Sequence, residues 1–345
     1  MKSWPMFRFD HNRSGVAQGS GIASAPRLLW RFDTGAAVES SPTVVNGILY
    51  EGTFNKKMLA LDAQTGKKLW SFPVGGLLRA SASVVGGLVY FGADDNTFYA
   101  VDAKTGSKVW SFALGDGGQQ SSPAIVDDVV YFGAFDHGVY ALNALTGEKI
   151  WRYPTGGGIL SSPAVHDGVV YIGSADKHLY AIDAATGKRR WAFEAGGVIW
   201  GSPTVVGGRV FFGDFNKTIY ALEAQTGKEC WRVVAGGDVF STPAVIDDVV
   251  YIGAGDGYLR ALAASSGTLI WKTNLDGAVY ASPAVDKDRI YVGSTDRHLY
   301  ALDGRDGKVI WKYAAGQKIW TSVAVVGHRL FFGSHDGFLY SLEGY

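Results

Sequence analysis

The sequence predicts an all-β fold, an eight-bladed β-propeller of four-stranded antiparallel blades, and three observations carry that reading. Trp30, Trp70, Trp110, Trp151, Trp191, Trp231, Trp271 and Trp311 recur at steps of 40 residues with one step of 41. Each interval holds the same succession of short apolar runs and turn signals without helical periodicity, and repeat units of this length that are not helical read as propeller blades. The 47 glycines among 345 residues are roughly twice ordinary usage, as many tight turns would demand.

The elements follow in chain order. A lead segment, residues 1–26, precedes the first tryptophan strand, Leu28-Leu29-Trp30-Arg31-Phe32 within residues 27–34, which has no partner strands before it. The first full unit opens with Ser41-Pro42-Thr43-Val44-Val45 (strand A), turns at Asn46-Gly47, and continues as Ile48-Leu49-Tyr50 (strand B). Strand C is Met58-Leu59-Ala60-Leu61. Asp62-Ala63-Gln64-Thr65-Gly66 is a turn in which the Asp side chain accepts backbone N–H groups and Gly66 supplies a left-handed residue. Strand D surrounds Trp70. Seven such units occupy about 36–315. The last, about 316–343, has strands A, B and C but neither the Thr-Gly turn nor a tryptophan strand. The N-terminal strand therefore completes the C-terminal blade, closing residues 1–345 into one domain without free sheet edges between blades.

Composition narrows the function. Lysine plus arginine equals aspartate plus glutamate at 32 each, so the chain lacks the basic footprint of a nucleic-acid binder. Cys230 is the sole cysteine, which rules out an internal disulfide or a cysteine-rich zinc site. No apolar run reaches the roughly 18 residues of a membrane span, and no apolar export stretch precedes Trp4. A cytoplasmic location is the expectation, periplasmic or secreted if a longer chain carried an export signal.

Asp-Ala-x-Thr-Gly-Lys-x-x-Trp, as in Asp62 to Trp70, Asp102 to Trp110 and Asp183 to Trp191, resembles the tryptophan-docking repeat of the pyrroloquinoline-quinone-type propellers, and the likeness covers residues 27–342. Trp4-Pro5-Met6-Phe7-Arg8 with Asp10 and Gly15 resembles the segment that precedes the first repeat in that family. The resemblance implies the propeller fold. The family's quinone dehydrogenases are much longer and carry adjacent cysteines beside the cofactor and a calcium-holding acidic cluster; the isolated Cys230 cannot form such a pair, so the chain reads as a member without cofactor and not as a quinone dehydrogenase. The family also includes propellers that bind no quinone, among them an outer-membrane assembly lipoprotein and sensor domains of bacterial kinases.

Because one unit is repeated, positions that the scaffold constrains look alike, and positions that differ are free for function. Two places at the start of strand A are nearly always small, as in Ser40-Ser41, Ser121-Ser122 and Ser161-Ser162, where converging inner strands crowd. One residue earlier stand Glu39, Arg79, Gln120, Leu160, Trp200, Phe240, Tyr280 and Trp320. If strand A begins at the rim of the central channel, these form an amphipathic ring, polar on one arc and apolar on the other, which is the form of a small-molecule site or of an aromatic wall for a cation or flat ring. The B–C loops open on the same side and add Phe54, Asp94, Phe135, Phe215 and His335 as a second tier, with Asp214 as a further acidic candidate. The plain packing alternative is that the aromatics plug the channel and the charges are solvated.

Seven scattered histidines show no metal-ligand spacing, so no metal is expected. His178 and His298 sit at strand starts. Gly253-Ala254-Gly255-Asp256-Gly257 lacks the following helix that a dinucleotide loop needs. Two functions remain open: a binding propeller that takes a small molecule or peptide into the funnel or a protein across its rim, and a cofactor-independent enzyme in which Glu39 or Asp94 is acid or base and Arg79 holds an anionic substrate group.

Overall fold

The computed structural model describes residues 3–17, 22 and 24–344. Eight antiparallel sheets stand around one axis. The first blade runs Thr43–Val45 (A, innermost), Ile48–Thr53 (B), Lys57–Asp62 (C) and Lys68–Pro73 (D, outermost). Six further blades repeat this meander. In the eighth, Ala324–Val326, Arg329–Gly333 and Phe338–Glu343 are completed on the outside by Arg27–Asp33, so the N-terminal strand closes the ring. Among the described residues no helix is long and apolar enough to cross a membrane.

Local chemistry accounts for the meander. The A–B turn has both central residues left-handed, Asn46 at φ 51° and Gly47 at φ 80°, which matches the twist of a two-residue hairpin. In the C–D turn the Asp62 carboxylate accepts the N–H groups of Gln64 and Thr65 at 3.0 and 2.7 Å, while Gly66 N–H donates to the Asp62 carbonyl. Gly66 answers a second demand besides its φ of 71°: a Cβ there would lie 2.7 Å from Cδ2 of Trp30 in the preceding blade. Glycine is the one residue that both turns the chain and lets the neighbouring indole lie on it.

That indole is half of a joint repeated between blades. Trp70 Nε1–H donates to the Ala103 carbonyl of the next blade at 3.0 Å, and the Tyr50 hydroxyl donates to the same oxygen at 3.1 Å, the two rings 5.9 Å apart. Trp110 with Tyr90, Trp151 with Tyr131, Trp191 with Tyr171 and Trp271 with Tyr251 repeat the arrangement. Where the tyrosine is replaced, by Phe211 and Phe331, an arginine two residues earlier supplies the second donor: Arg209 to Ala264 O at 3.3 Å and Arg329 to Ala63 O at 3.4 Å. Trp30 Nε1–H reaches Ala63 O at 3.2 Å, so the eighth blade docks on the first by the same contact.

The inner edge of strand A faces the axis with no further strand beside it, and unpaired backbone groups there would carry a desolvation cost. The lead segment meets that need. The amides of Val44, Val84, Val165, Val205, Val245 and Val285, from six blades, donate to carbonyls of Trp4, Pro5, His11, Asn12, Ser14 and Gly15. Val16–Ala17 then pairs in parallel with Ala284–Asp286. Arg8 and Arg13 are fully buried on the axis and serve the carbonyls: Arg13 Nε–H and Nη2–H donate to Pro163 O at 2.9 Å and Ser122 O at 2.8 Å, and Arg8 donates to Pro243 O at 3.2 Å and to Pro283 O. Burial pushes both guanidinium groups down to about 9.

Trp151→Phe keeps an aromatic ring at the joint and deletes the N–H donor. The expected loss in urea denaturation is about 1 kcal/mol, against about 3–5 kcal/mol for Trp151→Ala. Equal losses for the two variants would contradict a separate contribution from the hydrogen bond.

Candidate functional site

Descending the axis from the end opposite the lead segment, the first ring consists of Glu39, Arg79, Gln120, Leu160, Trp200, Phe240, Tyr280 and Trp320. All are half-buried, whereas the residue before each is buried in the blade. They surround a cavity of about 530 Å³. Its floor is the Phe7 side chain of the lead segment and a ring of Ser41, Ser81, Ser122, Ser162, Ser202, Thr242, Ser282 and Ser322. The channel is therefore a cup, blind at the bottom.

One arc is polar. Arg79 Nη1–H donates to Glu39 Oε2 at 2.9 Å and its Nε–H to Asp94 Oδ2 at 3.2 Å, and Gln120 Nε2–H donates to Asp94 Oδ1 at 3.1 Å. The guanidinium lies 4.6 Å from the centre of the Phe54 ring. Facing it is a continuous aromatic arc, each ring edge-on to the next: Trp200 to Phe215 at 4.5 Å, Phe215 to Phe240 and Phe240 to Tyr280 at 6.3 Å, Tyr280 to Trp320 at 5.8 Å, and Trp320 to His335 at 5.1 Å. His335 joins the arcs, with Nε2 3.3 Å from Glu39 Oε1. Burial, with Lys318 and Arg79 nearby, pushes its imidazole down to about 4, so it meets the carboxylate as a neutral ring. Lys318 Nζ stands 3.9 Å above the Trp320 ring.

Of the expected members, Phe54, Asp94 and His335 do not line the cavity itself but contact residues that do, Arg79, Gln120, Glu39 and Trp320, and two others lie elsewhere. Phe135 packs where a side chain on Gly158 would be and does not line the cup. Asp214 is fully buried, and its carboxylate accepts Gly197 N–H at 2.9 Å, Thr218 N–H at 2.9 Å and the Tyr220 hydroxyl at 3.0 Å. In six of the other blades an Asp two places later does this work, as Asp176 does for Gly156 and Tyr180, and the first blade has Asn55 there. The fifth blade has Asn216 there, and Asp214 replaces the missing carboxylate. Its departure from the repeat is a structural compensation.

The profile of the family described as outer membrane protein assembly factor BamB matches residues 22–158, 134–199, 192–265 and 216–344. The chain belongs to that family. No curated protein matches it by sequence. Among solved structures, BamB from Moraxella catarrhalis is similar at 18% identity and a TM-score of 0.77, covering 92% of this chain and 100% of that one. A europium-containing methanol dehydrogenase gives 15%, 0.84, and 99% and 98%; the quinohemoprotein alcohol dehydrogenase of Comamonas testosteroni gives 16%, 0.86, and 99% and 80%. At these identities the likeness is one of fold.

A quinone site does not fit what lines the cup of this BamB-family propeller. Cys230 is exposed on the outer strand Glu229–Val234, and among the described residues no three His, Cys, Asp or Glu side chains converge to hold a metal ion. Three features of the cup escaped the reading of the sequence. Asp238, beside Tyr280, occupies the place two before the variable ring, where Lys318 is the other charged residue; extending the comparison of repeats by that column exposes both. Phe7 comes from the lead segment, outside the repeat. The serines are more than crowded. Ser41 N–H donates to Ser81 Oγ at 2.8 Å, Ser81 N–H to Ser122 Oγ at 3.0 Å, and the same bond recurs between neighbouring blades as far as Ser202; it resumes from Thr242 N–H on Ser282 Oγ to Ser322 N–H on Ser41 Oγ at 2.9 Å, seven links around the eight-membered ring.

With its pKa near 4 in the fold and near 6.5 when unfolded, His335 binds a proton more readily in the unfolded chain. Its contribution to stability is full above pH 6.5 and is lost as pH falls toward 4. His335→Gln is expected to flatten that part of the profile of Tm against pH; a parallel profile would contradict a neutral buried imidazole.

Proposed function

We propose that this BamB-family propeller is a binding protein whose axial cup takes a small amphipathic molecule or the apolar tip of a peptide. One observation supports this above the rest: the cup is closed below and walled on opposite sides by an aromatic arc and a polar arc, the form in which a few convergent polar groups orient a ligand that apolar contact holds. A solid plug of aromatics would leave no such space.

The arrangement favours binding over acid–base catalysis by the same residues. Both carboxylates proposed as acid or base, Glu39 and Asp94, are engaged by Arg79, and Gln120 occupies the other oxygen of Asp94. The family's description as an assembly factor adds a second use for the same end of the molecule, a protein partner seated over the mouth with an apolar side chain in the cup.

The probe for the cup is N-phenyl-1-naphthylamine, a neutral aryl fluorophore. It is expected to bind at one saturable site with enhanced emission. Trp200→Ala combined with Trp320→Ala is expected to weaken it at least tenfold while the thermal transition stays cooperative. Unchanged affinity in a folded variant would contradict the reading.

A further inference from the structure

The hydroxyls of the floor have an unusual division of labour. Ser41, Ser81, Ser122, Ser162, Ser202, Ser282 and Ser322 each accept the backbone N–H of a neighbouring blade at 2.8–3.2 Å. Among the described residues none of these hydroxyls donates a hydrogen bond, although all seven are more than nine-tenths buried and all line the cavity. A hydroxyl has one proton to give, and a buried donor without an acceptor is costly. The ring therefore presents a crown of seven O–H donors to the cup, with Thr242 in the eighth place.

Directly beneath lie two cations. Arg13 holds the carbonyl of Ser122, itself a member of the ring, and Arg8 holds those of Pro243 and Pro283, the residues following Thr242 and Ser282. Neither guanidinium hydrogen-bonds to a carboxylate among the described residues. Asp10, the acid whose charge acts on both, is turned to the N–H and hydroxyl of Ser14 at 2.9 and 2.5 Å. The acids of the cup sit higher: Glu39 and Asp94 share Arg79, and Asp238 is beside Tyr280 at the mouth. Unused hydroxyl donors and two cations gather at the floor, whereas at the rim the carboxylates of Glu39, Asp94 and Asp238 stand together with Arg79 and Lys318.

We propose that the floor is a subsite for an anionic oxygen head group of the carboxylate or sulfonate class, carried on an apolar or aromatic body that lies against the arc from Trp200 to Trp320. An oxyanion accepts several hydroxyl donors at once, and hydrogen bonds to a charged acceptor in a water-poor site are the stronger kind. An ammonium head would meet donors and cations there. The assignment rests on the reading of the cup as a small-molecule site.

Two probes with the same aryl body separate the two ideas: 8-anilinonaphthalene-1-sulfonate, which carries the head group, and N-phenyl-1-naphthylamine, which lacks it. The full chain is expected to bind the sulfonate at least tenfold more tightly. Ser81→Ala, Ser122→Ala and Ser162→Ala together are expected to weaken the sulfonate about tenfold and the neutral probe less than twofold, while threonine at the same three places, as at Thr242, preserves both. If the triple alanine variant does not fold, Ser162→Ala against Ser162→Thr reads the same difference at about threefold. A sulfonate that binds no more tightly than its neutral counterpart, or that ignores the alanine substitutions while the neutral probe still binds, overturns the head-group assignment and leaves the cup standing. Failure of both probes to bind overturns both.

Discussion

Eight inner strands converge on one axis, and each brings a row of backbone donors and acceptors that no further blade strand pairs; only Ala284–Asp286 gains a short extra strand, Val16–Ala17. Most features of the central channel answer that constraint. Seven of the amides just before these strands are taken by serine hydroxyls of the neighbouring blade, carbonyls of four blades by two buried guanidinium groups, and amides of six blades further down by carbonyls of the lead segment. Buried backbone groups in folded proteins are almost always satisfied, and here the satisfaction comes from three unlike sources stacked along one line. The blind end of the cup is a by-product. A segment recruited to pair strand edges also closes the channel, and Phe7 becomes a floor.

Above that level the backbone is already paired, and the side chains of the first ring are free to differ. The scaffold holds Val38, Leu78, Ile159, Ile199, Val239, Val279 and Ile319 in the blades, and the following residue of each unit turns toward the axis. Eight copies of a repeat thus build an asymmetric site without disturbing the ring. The exception among those buried residues is Gln119, whose amide donates to the Ser121 and Gly133 carbonyls. Glu51 is another: it stands where the other blades have Phe91, Phe132, Ile172, Phe212, Ile252, Val292 and Phe332. Burial holds its carboxyl well above the usual range, and Ser40 Oγ is its hydrogen-bond partner.

Much of this was legible in the residues. The tryptophan spacing set the blade count, and the incomplete last unit required Arg27–Asp33 to close it, because both are consequences of a short-range pattern repeated at fixed intervals. The converging ring was legible too, since equal positions in equal blades occupy equal radii. What stayed hidden was contact between distant segments. Nothing local to Phe7, Arg8 or Arg13 says that they lie inside the ring, and a serine reads as small before it reads as an acceptor for the next blade's amide. Asp214 misled for the reverse reason. It differs from its counterparts, but the difference answers Asn216 two residues away and Tyr220 beside it, so a departure from the repeat marks function only when no neighbouring departure compensates it.

The lead segment fills the channel and pairs the inner edges. Amide hydrogen exchange resolved by residue tests this most directly. The N–H groups of Val44, Val84, Val165, Val205, Val245 and Val285 are expected to exchange as slowly as those in the middle of the blades, because opening them requires withdrawal of residues 4–15. Rapid exchange at these six positions, with the rest of the ring protected, would show an open channel and contradict it.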